Sequence, residues 1–312
     1  MNADTFTSVL DELSDCALCP RNCHADRFSG PLGWCRSDAS FSISSICIHR
    51  GEEPAISGSD GICNIFFTNC NLQCIYCQNH QISDNLLDHT SDRMNFIDVL
   101  GQITAILDRG IRRVGFVSPS HFVPQVKAII QGVQALGYRP VWVYNTNGYD
   151  KPETLRTLEG IIDVYLPDFK YMDPDLARRY SGAADYPDFA ARALKELYRQ
   201  KGSALILDDD GAAESGIIVR HLALPGHADD SIKVMEFLAR EISPKIHVSL
   251  MAQYYAPRQV AGHPQLGRGI TLHEYRRVVD CMENLGMHNG WYQEFDSSDF
   301  YRPDFNNPNP FE

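Results

Sequence analysis

The sequence lacks any hydrophobic run of the roughly eighteen residues that a membrane-spanning helix needs. Residues 1–6 contain neither the basic cluster nor the apolar stretch of a secretory signal. Positive charge is also scarce, since 28 lysines and arginines stand against 40 aspartates and glutamates and the net charge is −12. These absences predict a cytoplasmic protein with no membrane partner, and the acidic balance disfavours nucleic acid as a partner.

Cysteine, by contrast, is plentiful, with ten residues in 312. In a cytosolic protein such usage indicates metal or redox chemistry rather than disulfides. Cys70, Cys74 and Cys77 have the spacing C-x3-C-x2-C, which offers three thiolates to one centre and omits a fourth. A [4Fe-4S] cluster held by three cysteines keeps one iron open, and an open coordination position is typical of a reactive metal site. The alternatives are buried free thiols, or a zinc site completed by His80 or Cys63.

This spacing resembles the signature of the radical S-adenosylmethionine (SAM) superfamily, in which an aromatic residue, here Tyr76, precedes the last cysteine. The resemblance implies that Cys70, Cys74 and Cys77 ligate a [4Fe-4S] cluster whose open iron chelates the amino and carboxylate groups of SAM. It also implies that the reduced cluster cleaves SAM to a 5'-deoxyadenosyl radical, which abstracts hydrogen from a substrate. In such enzymes the cofactor supplies the reactive chemistry and the protein holds and orients it.

A second group of cysteines precedes the first: Cys16, Cys19, Cys23 and Cys35. The segment around them is too small and polar to form a core, so it predicts a structural metal site. Four thiolates suit tetrahedral zinc and an iron-sulfur centre equally well. We expect this second metal centre to lie near the substrate entrance. The remaining thiols, Cys47, Cys63 and Cys281, are expected to be small buried hydrophobes.

Beyond the first cysteine loop, short apolar runs alternate with amphipathic stretches. Strands are predicted at 62–67, 113–118, 140–145, 161–166, 217–222 and 246–250, with helices at 96–109, 122–136, 152–159, 185–199 and 230–240. Strands alternating with helices predict a parallel sheet with right-handed crossovers. The periodicity suits either a doubly wound sheet or a barrel, and the radical SAM resemblance favours an α/β fold with a partial, TIM-like (β/α)6 barrel.

Three parts are expected along the chain. Residues 1–56 form a cysteine-rich N-terminal segment, residues 57–295 the barrel, and residues 296–312 an extended tail. The tail is rich in proline, asparagine and aromatic residues, and we expect it to lie along the barrel. Residues 205–216 carry turn signals that predict a loop or short hairpin.

Polar residues follow the predicted strands, and in a βα barrel the strand ends meet at one mouth. The candidate residues for binding SAM or an adjacent ion are Ser118, Ser120, Asn145, Thr146, Asp168, Lys170 and His221. Each has a structural alternative. Asn147 and Gly148 form a common turn sequence. Asp168 and Lys170 suit a partly buried ion pair, and His221 a hydrogen-bonded core histidine.

Several of these positions resemble motifs of pyruvate formate-lyase activating enzyme and other glycyl-radical-enzyme activases, at 146–148, at the Asp168–Lys170 pair and at 224–226. A related group of radical SAM proteins is more similar still, through motifs at 16–23, 51–54, 66–67, 118–121, 219–222 and 250–254. The resemblance implies that Tyr76 packs near the adenine and that the polar residues named above orient SAM or an ion. One departure stands out: activases carry Gly-Gly-Glu-Pro where 118–121 reads Ser-Pro-Ser-His. Serine hydroxyls can accept a hydrogen bond from the same ammonium group.

The function expected from the sequence is therefore hydrogen abstraction by a radical SAM enzyme, with activation of a glycyl radical enzyme as the finer form. The resemblance implies a [4Fe-4S] cluster and SAM as cofactors, and an electron donor such as flavodoxin or ferredoxin as a partner. One alternative keeps the chemistry but acts on another protein, a peptide, a nucleic acid or a metabolite. The other is an iron-sulfur electron-transfer module that never cleaves SAM.

Overall fold

The strands of the protein form one twisted, mostly parallel sheet with helices on its outer face. The computed structural model describes residues 9–295, 302–307 and 309–311. We number the elements in chain order. The strands are β1 Phe41–His49, β2 Ile62–Phe67, β3 Arg93–Met94, β4 Arg113–Val117, β5 Val141–Thr146, β6 Val164–Pro167, β7 Ile206–Leu207, β8 Ala213–Leu222, β9 His247–Met251 and β10 Gly290–Tyr292.

The α-helices lie mainly between these strands. They are α1 Pro54–Ser57, α2 His80–Ser83, α3 Phe96–Leu107, α4 Val123–Ala135, α5 Pro152–Arg156, α6 Pro174–Ser181, α7 Tyr186–Lys201, α8 Ala228–Phe237 and α9 Leu272–Asn284. Short 3-10 turns occur at Asp11–Asp15, Thr90–Asp92 and Arg258–Val260, and a π-helical turn, Leu238–Ile242, continues α8. No helix in the described ranges has both the length and the apolar character needed to cross a bilayer.

The sheet order is β10-β9-β8-β6-β5-β4-β2-β1-β3, with β7 paired to β8. Strands β2, β4, β5, β6, β8 and β9 run parallel, each joined to its neighbour in the register expected of βα units. Because strands in such units twist with a constant hand, the sheet curls into an incomplete barrel. The predicted partial (β/α)6 barrel is confirmed, and so is the short hairpin between 205 and 216.

Three strands at the edges of the sheet were not expected. Strand β1 pairs antiparallel with β2 along most of its length, and the two-residue β3 pairs with β1. Strand β10 adds a parallel strand at the other edge. Strand β1 falls inside the predicted N-terminal segment although it belongs to the barrel sheet. The division of the chain at residues 56 and 295 stays a prediction.

The described part of the C-terminal tail lies against the barrel sheet. Phe305 and Phe311 both contact the ring of Phe66 on β2, with ring centroids 5.2 and 5.6 Å away. Phe311 also stacks on His49 of β1 at 3.8 Å. His49, Phe66 and Phe311 line the space that the sheet encloses, so the tail covers the inner side of the first two strands with an aromatic ring.

Inward-facing side chains fill the barrel in layers, because alternate residues of a strand point to opposite faces. The lowest layer is apolar, and α1 closes it by packing Ala55 and Ile56 against Ile62, Val143, Val164, Leu166, Ala213 and Ile218. We call α1 the plug helix. Two residues further along three of these strands stand polar side chains, Asn64, Asn145 and Arg220. This polar layer lies above the plug and below the mouth.

Candidate active site

The cysteine loop follows β2 and lies at the barrel mouth, where the carboxyl ends of the parallel strands meet. Cys70, Cys74 and Cys77 all line one cavity of about 400 Å3. Among the described residues that line this cavity there is no fourth cysteine. Five further residues predicted from the sequence share its walls: Tyr76, Ser118, Asn145, Asp168 and Lys170.

Each sulfur at the mouth faces polar hydrogen atoms. The Asn147 side-chain amide donates to Cys70 Sγ at 3.3 Å, and the Ser83 hydroxyl donates to Cys77 Sγ at 3.2 Å. Cys74 Sγ lies 2.9 Å from the Ser181 hydroxyl. Donors of this kind stabilise a thiolate, and hydrogen bonds to sulfur tune iron-sulfur centres.

Burial nevertheless raises the pKa of all three thiols, that of Cys74 to about 11. The mutual repulsion of the thiolates raises the pKa of Cys70 further. Lys170 acts in the opposite direction, because its charge lowers the pKa of Cys74 and Cys77. Metal-free thiols at this site are therefore protonated at neutral pH, and metal binding must displace those protons.

Asp168 and Lys170 form an ion pair at 2.6 Å on the cavity wall. Burial alone would lower the pKa of Lys170, but Asp168 and the cysteines outweigh it and raise that pKa. Gly148 packs directly against this pair, with φ of +82°, and an added Cβ would lie 2.1 Å from the Asp168 carbonyl oxygen. The turn at 147–148 therefore has a structural requirement for glycine as well as a place beside the cysteines.

Two residues on the cavity wall have left-handed backbone conformations without being glycine. They are Asn69, with φ of +62°, and Ser118, with φ of +53°. Such conformations cost free energy and cluster at functional sites. Ser118 is held in place by a hydrogen bond from its amide to the Asn145 carbonyl at 2.8 Å.

Tyr76 is buried beside the mouth within a group of tyrosines. Its ring lies edge-on to Tyr171 and Tyr180, and its hydroxyl accepts a hydrogen bond from the Tyr171 hydroxyl. The edge-to-face arrangement fixes the ring orientation. Its proposed contact with adenine stays a prediction.

Ser120, Thr146 and His221 are not among the residues that line the cavity. The Ser120 and Thr146 hydroxyls bond to each other at 3.0 Å behind the strand ends. His221 uses both ring nitrogens, Nδ1 to the Phe169 carbonyl at 2.6 Å and Nε2 to Ser231 Oγ at 2.8 Å. Burial lowers the pKa of His221 to about 4, so it is neutral. The structure thus shows His221 as a hydrogen-bonded core residue, while a part for any of the three in SAM binding stays a prediction.

The four N-terminal cysteines also share one small cavity, of about 10 Å3, which Cys16, Cys19, Cys23 and Cys35 line together. Burial raises the pKa of Cys19 to about 12, and the charges of the other three thiols add to the rise. The space is about that of a single water molecule. This set therefore surrounds a much smaller space than the set at the mouth, although Cys23 itself is exposed.

The two cysteine sets are linked by Arg21. Its Nε donates to the Asn71 carbonyl at 2.8 Å, immediately after Cys70, and its Nη1 donates to the Gly182 carbonyl at 2.8 Å. The guanidinium also stacks over Trp34 at 3.9 Å. The N-terminal segment therefore docks directly on the loop that carries the first cysteine set.

The three remaining cysteines differ in burial. Cys47 and Cys63 are buried in the sheet, as expected from their apolar surroundings. Cys281 lies on α9 and is only partly buried, because part of that helix faces solvent. The expectation of a buried thiol was therefore wrong for Cys281.

The polar layer contains residues that were not predicted as site residues. Glu52 and Glu53, which precede the plug helix, line the cavity from below with buried side chains. Glu53 Oε1 lies 2.8 Å from Arg220 Nε, and Arg220 Nη1 donates to Asn145 Oδ1 at 3.0 Å. We call Glu52, Glu53, Arg220, Asn64 and Asn145 the floor. The Gly-Glu-Glu-Pro run at 51–54 was visible in the sequence, but nothing local indicated that it turns back into the barrel.

The chain's own residues fit a cluster with three cysteine ligands. Three thiols, each beside a hydrogen-bond donor, open onto a cavity with room for a second ligand. Among the described residues, no three or more His, Cys, Asp or Glu side chains are already arranged to hold a metal ion. The assignment of both cysteine sets as metal sites is therefore a proposal.

No protein-family model matches the chain. It is 27% identical over 277 residues to the uncharacterized protein MJ0674 of Methanocaldococcus jannaschii, a match that covers 88% of this chain and 75% of that protein. Among solved structures it resembles Streptococcus suis SuiB bound to precursor peptide SuiA, with a TM-score of 0.50 and 13% identity over 73% of this chain and 47% of SuiB. SuiB bound to S-adenosylmethionine gives a TM-score of 0.48 and 14% identity, over 73% of this chain and 45% of that one.

The chain spans about half the length of these solved structures. At 13% identity the likeness to peptide-bound SuiB shows a shared fold. That fold is the partial α/β barrel described above.

Proposed function

We propose that the chain is a radical SAM enzyme whose [4Fe-4S] cluster is held by Cys70, Cys74 and Cys77. One observation carries the proposal: the three thiols of a C-x3-C-x2-C loop line the cavity at the carboxyl end of a partial barrel, with no fourth cysteine among the described lining residues. When bound, such a cluster supplies one electron that cleaves SAM, and the resulting 5'-deoxyadenosyl radical removes hydrogen from a substrate.

The residues of the chain have defined tasks in this proposal. Asn147, Ser83 and Ser181 orient the three sulfurs through their hydrogen bonds. Lys170 supplies positive charge beside Cys74, which favours the thiolate form. Ser118 and Asp168 offer oxygen atoms to the ammonium group of SAM from the cavity wall.

An external reductant such as flavodoxin or ferredoxin would supply the electron. From the resemblance to activases we further propose that a glycine of a partner protein is the target of hydrogen abstraction. The likeness to peptide-bound SuiB is one of fold and does not name the target.

The test is formation of 5'-deoxyadenosine by the anaerobically reconstituted protein with SAM and dithionite. Cys74→Ser is expected to lose iron at the mouth and to form deoxyadenosine only at background level. The matched control is Cys281→Ser, a half-buried thiol on α9, which should behave like the unmodified protein. Undiminished deoxyadenosine formation by Cys74→Ser would overturn the assignment. A protein that holds iron but never cleaves SAM would instead be an electron-transfer module.

A further inference from the structure

The floor of the cavity has a charge and hydrogen-bonding pattern that the cysteine chemistry does not use. A role for this pattern in binding the substrate rests on the proposed function. The positions of two asparagines show that the floor lies below the mouth. Asn145 accepts a hydrogen bond from the Arg220 guanidinium, and Asn147, two residues further along the chain, donates to Cys70 Sγ. Two residues of extended chain span about 7 Å. A ligand on the floor therefore lies within a few carbon atoms of the cysteine loop.

The floor brings two carboxyl groups to one guanidinium. Arg220 Nε lies 2.8 Å from Glu53 Oε1, and Arg220 Nη1 lies 4.0 Å from Glu52 Oε2. Glu52 Oε1 also accepts a hydrogen bond from Asn64 Nδ2 at 2.9 Å and lies 3.4 Å from His49 Nδ1. The floor therefore has two carboxyl groups for one guanidinium, and the Glu52 carboxyl already has Asn64 and His49 as partners.

Two buried atoms of the floor have no hydrogen-bond partner among the described residues, Glu53 Oε2 and Arg220 Nε. Arg220 Nε is in an ion pair with Glu53 Oε1, whereas Glu53 Oε2 has no such contact, and the Glu53 side chain is only 6% exposed. A buried carboxyl oxygen left without a partner is costly, and such groups are rare in folded proteins. Because Glu53 lines the cavity, this oxygen can be satisfied by a group that enters from the mouth.

The charges around Glu53 Oε2 favour a cation over an anion as the ligand group that binds there. Burial and the charge of the neighbouring Glu52 raise the pKa of Glu53. For Glu52 the balance is the opposite, because hydrogen bonds from His49 and Asn64 and the charge of Arg220 outweigh burial. They lower the pKa of Glu52 to about 2. An anionic group would face Glu52 directly, and Arg220 is already engaged by Glu53 and Asn145. A cation with several N–H donors matches both the free oxygen and the excess of carboxyl groups.

We propose that the Glu52–Glu53 pair binds the primary ammonium group of the substrate, which makes that substrate an alkyl amine rather than the glycine that the resemblance to activases implies. Its carbon chain then rises from the floor toward Cys70, Cys74 and Cys77, through a cavity of about 400 Å3. That volume lies at the small end of ligand sites. A substrate that shares it with SAM is either a small free amine or a single lysine side chain reaching in from a peptide.

The proposal is tested by calorimetric titration of the reconstituted protein with 1-pentylamine, and with 1-pentanol as the neutral counterpart. The amine should bind and the alcohol should not. Glu53→Gln should weaken amine binding by about 10- to 100-fold, the range expected for loss of a charge-assisted hydrogen bond. The matched control is Glu214→Gln, an exposed glutamate on β8, which should leave binding unchanged.

Equal binding of amine and alcohol, or no binding of the amine, would overturn the proposal in the unmodified protein, whatever the folding of any variant. Undiminished amine binding by Glu53→Gln would do the same. A parallel titration with the peptide acetyl-Gly-Lys-Gly-amide separates the two sources of the ammonium group. Binding of pentylamine alone assigns a free amine, and binding of the peptide alone assigns a lysine side chain.

The outcome is independent of the test for SAM cleavage. If the amine fails to bind while the protein still forms 5'-deoxyadenosine from SAM, the substrate class is wrong and the proposed function stands. If the amine binds but no deoxyadenosine forms, the floor is a cation site and the proposed function is wrong.

Discussion

The two cysteine sets use the same donor atom in opposite settings. The mouth set has three thiols on a loop fixed by strand ends, and it opens onto about 400 Å3 of space. The N-terminal set has four thiols around about 10 Å3, in a segment held by its contacts with the barrel. Ligand number and free volume, rather than ligand chemistry, separate a site suited to reaction from one suited to structure. The comparison predicts that damage to the N-terminal set is seen in stability and damage to the mouth set in activity.

The strongest challenge to this comparison is Cys35→Ser. If the four thiols hold the metal that we propose, this variant loses it and its free energy of unfolding falls by more than about 3 kcal/mol, since loss of a metal is among the largest single-substitution effects. Urea unfolding and metal content per chain measure the two quantities. Cys281→Ser is the control. Full metal content and full stability in Cys35→Ser would show that the four thiols do not form a site.

The metal content of the unmodified protein distinguishes the roles of the two cysteine sets. About four irons and one zinc per chain would make the N-terminal set a structural zinc site, leaving one reactive centre. About eight irons would make it a second cluster, and both sets would then carry electrons.

A smaller effect is expected where the two sets meet. Arg21→Ala removes two hydrogen bonds from a charged donor and the stack on Trp34, so we expect a loss of about 2–3 kcal/mol in the free energy of unfolding. Hydrogen exchange should rise in residues 16–35 more than in the barrel strands. Arg240→Ala, which removes an exposed ion pair with Glu236, should cost under about 1 kcal/mol. Equal effects of the two substitutions would mean that Arg21 does not anchor the segment.

The smallest effect is predicted for the floor. In Gly115→Ala, the new Cβ would lie 2.2 Å from Asn64 Oδ1, so Asn64 must move away from Glu52. We expect a loss of about 1–2 kcal/mol by urea unfolding, with the N-terminal metal retained. Gly101→Ala on α3 meets nothing within 4 Å and should instead stabilise the protein by up to about 1 kcal/mol. A neutral Gly115→Ala, or one that loses the N-terminal metal, would contradict the separation of the two regions.

The repeated βα pattern made the barrel predictable, because each parallel strand is buried and bounded by turn residues. Five of the six predicted strands overlap the observed ones with shifts of at most a few residues at their ends, and β8 begins four residues earlier than expected. The alternation of serine and isoleucine in β1 suits a half-buried strand, but no helix beside it marks a βα unit, and so β1 was not among the predicted strands. Residues 50–61 separate β1 from its partner β2, so no short hairpin turn in the sequence indicates that the two strands pair.

The site was predictable where spacing alone brings ligands together, as it does for the cysteine loop. It was not predictable where the outcome depends on which face of a strand a residue occupies. Arg220 points into the barrel and His221 points out, because consecutive residues alternate, and a shift of one residue would exchange them. The sequence offers a polar residue at both positions, so it does not indicate which one faces the cavity.

The plug helix has a kinetic consequence. Its Ala55 and Ile56 close the lower end of the barrel with apolar contacts, so no ligand reaches Glu53 through that end. When two ligands enter a cavity through the same opening, the one that binds deeper has to bind first and dissociate last. A ligand bound at Glu53 would therefore be trapped beneath any molecule held at the cysteine loop, and steady-state kinetics should show a compulsory order of addition.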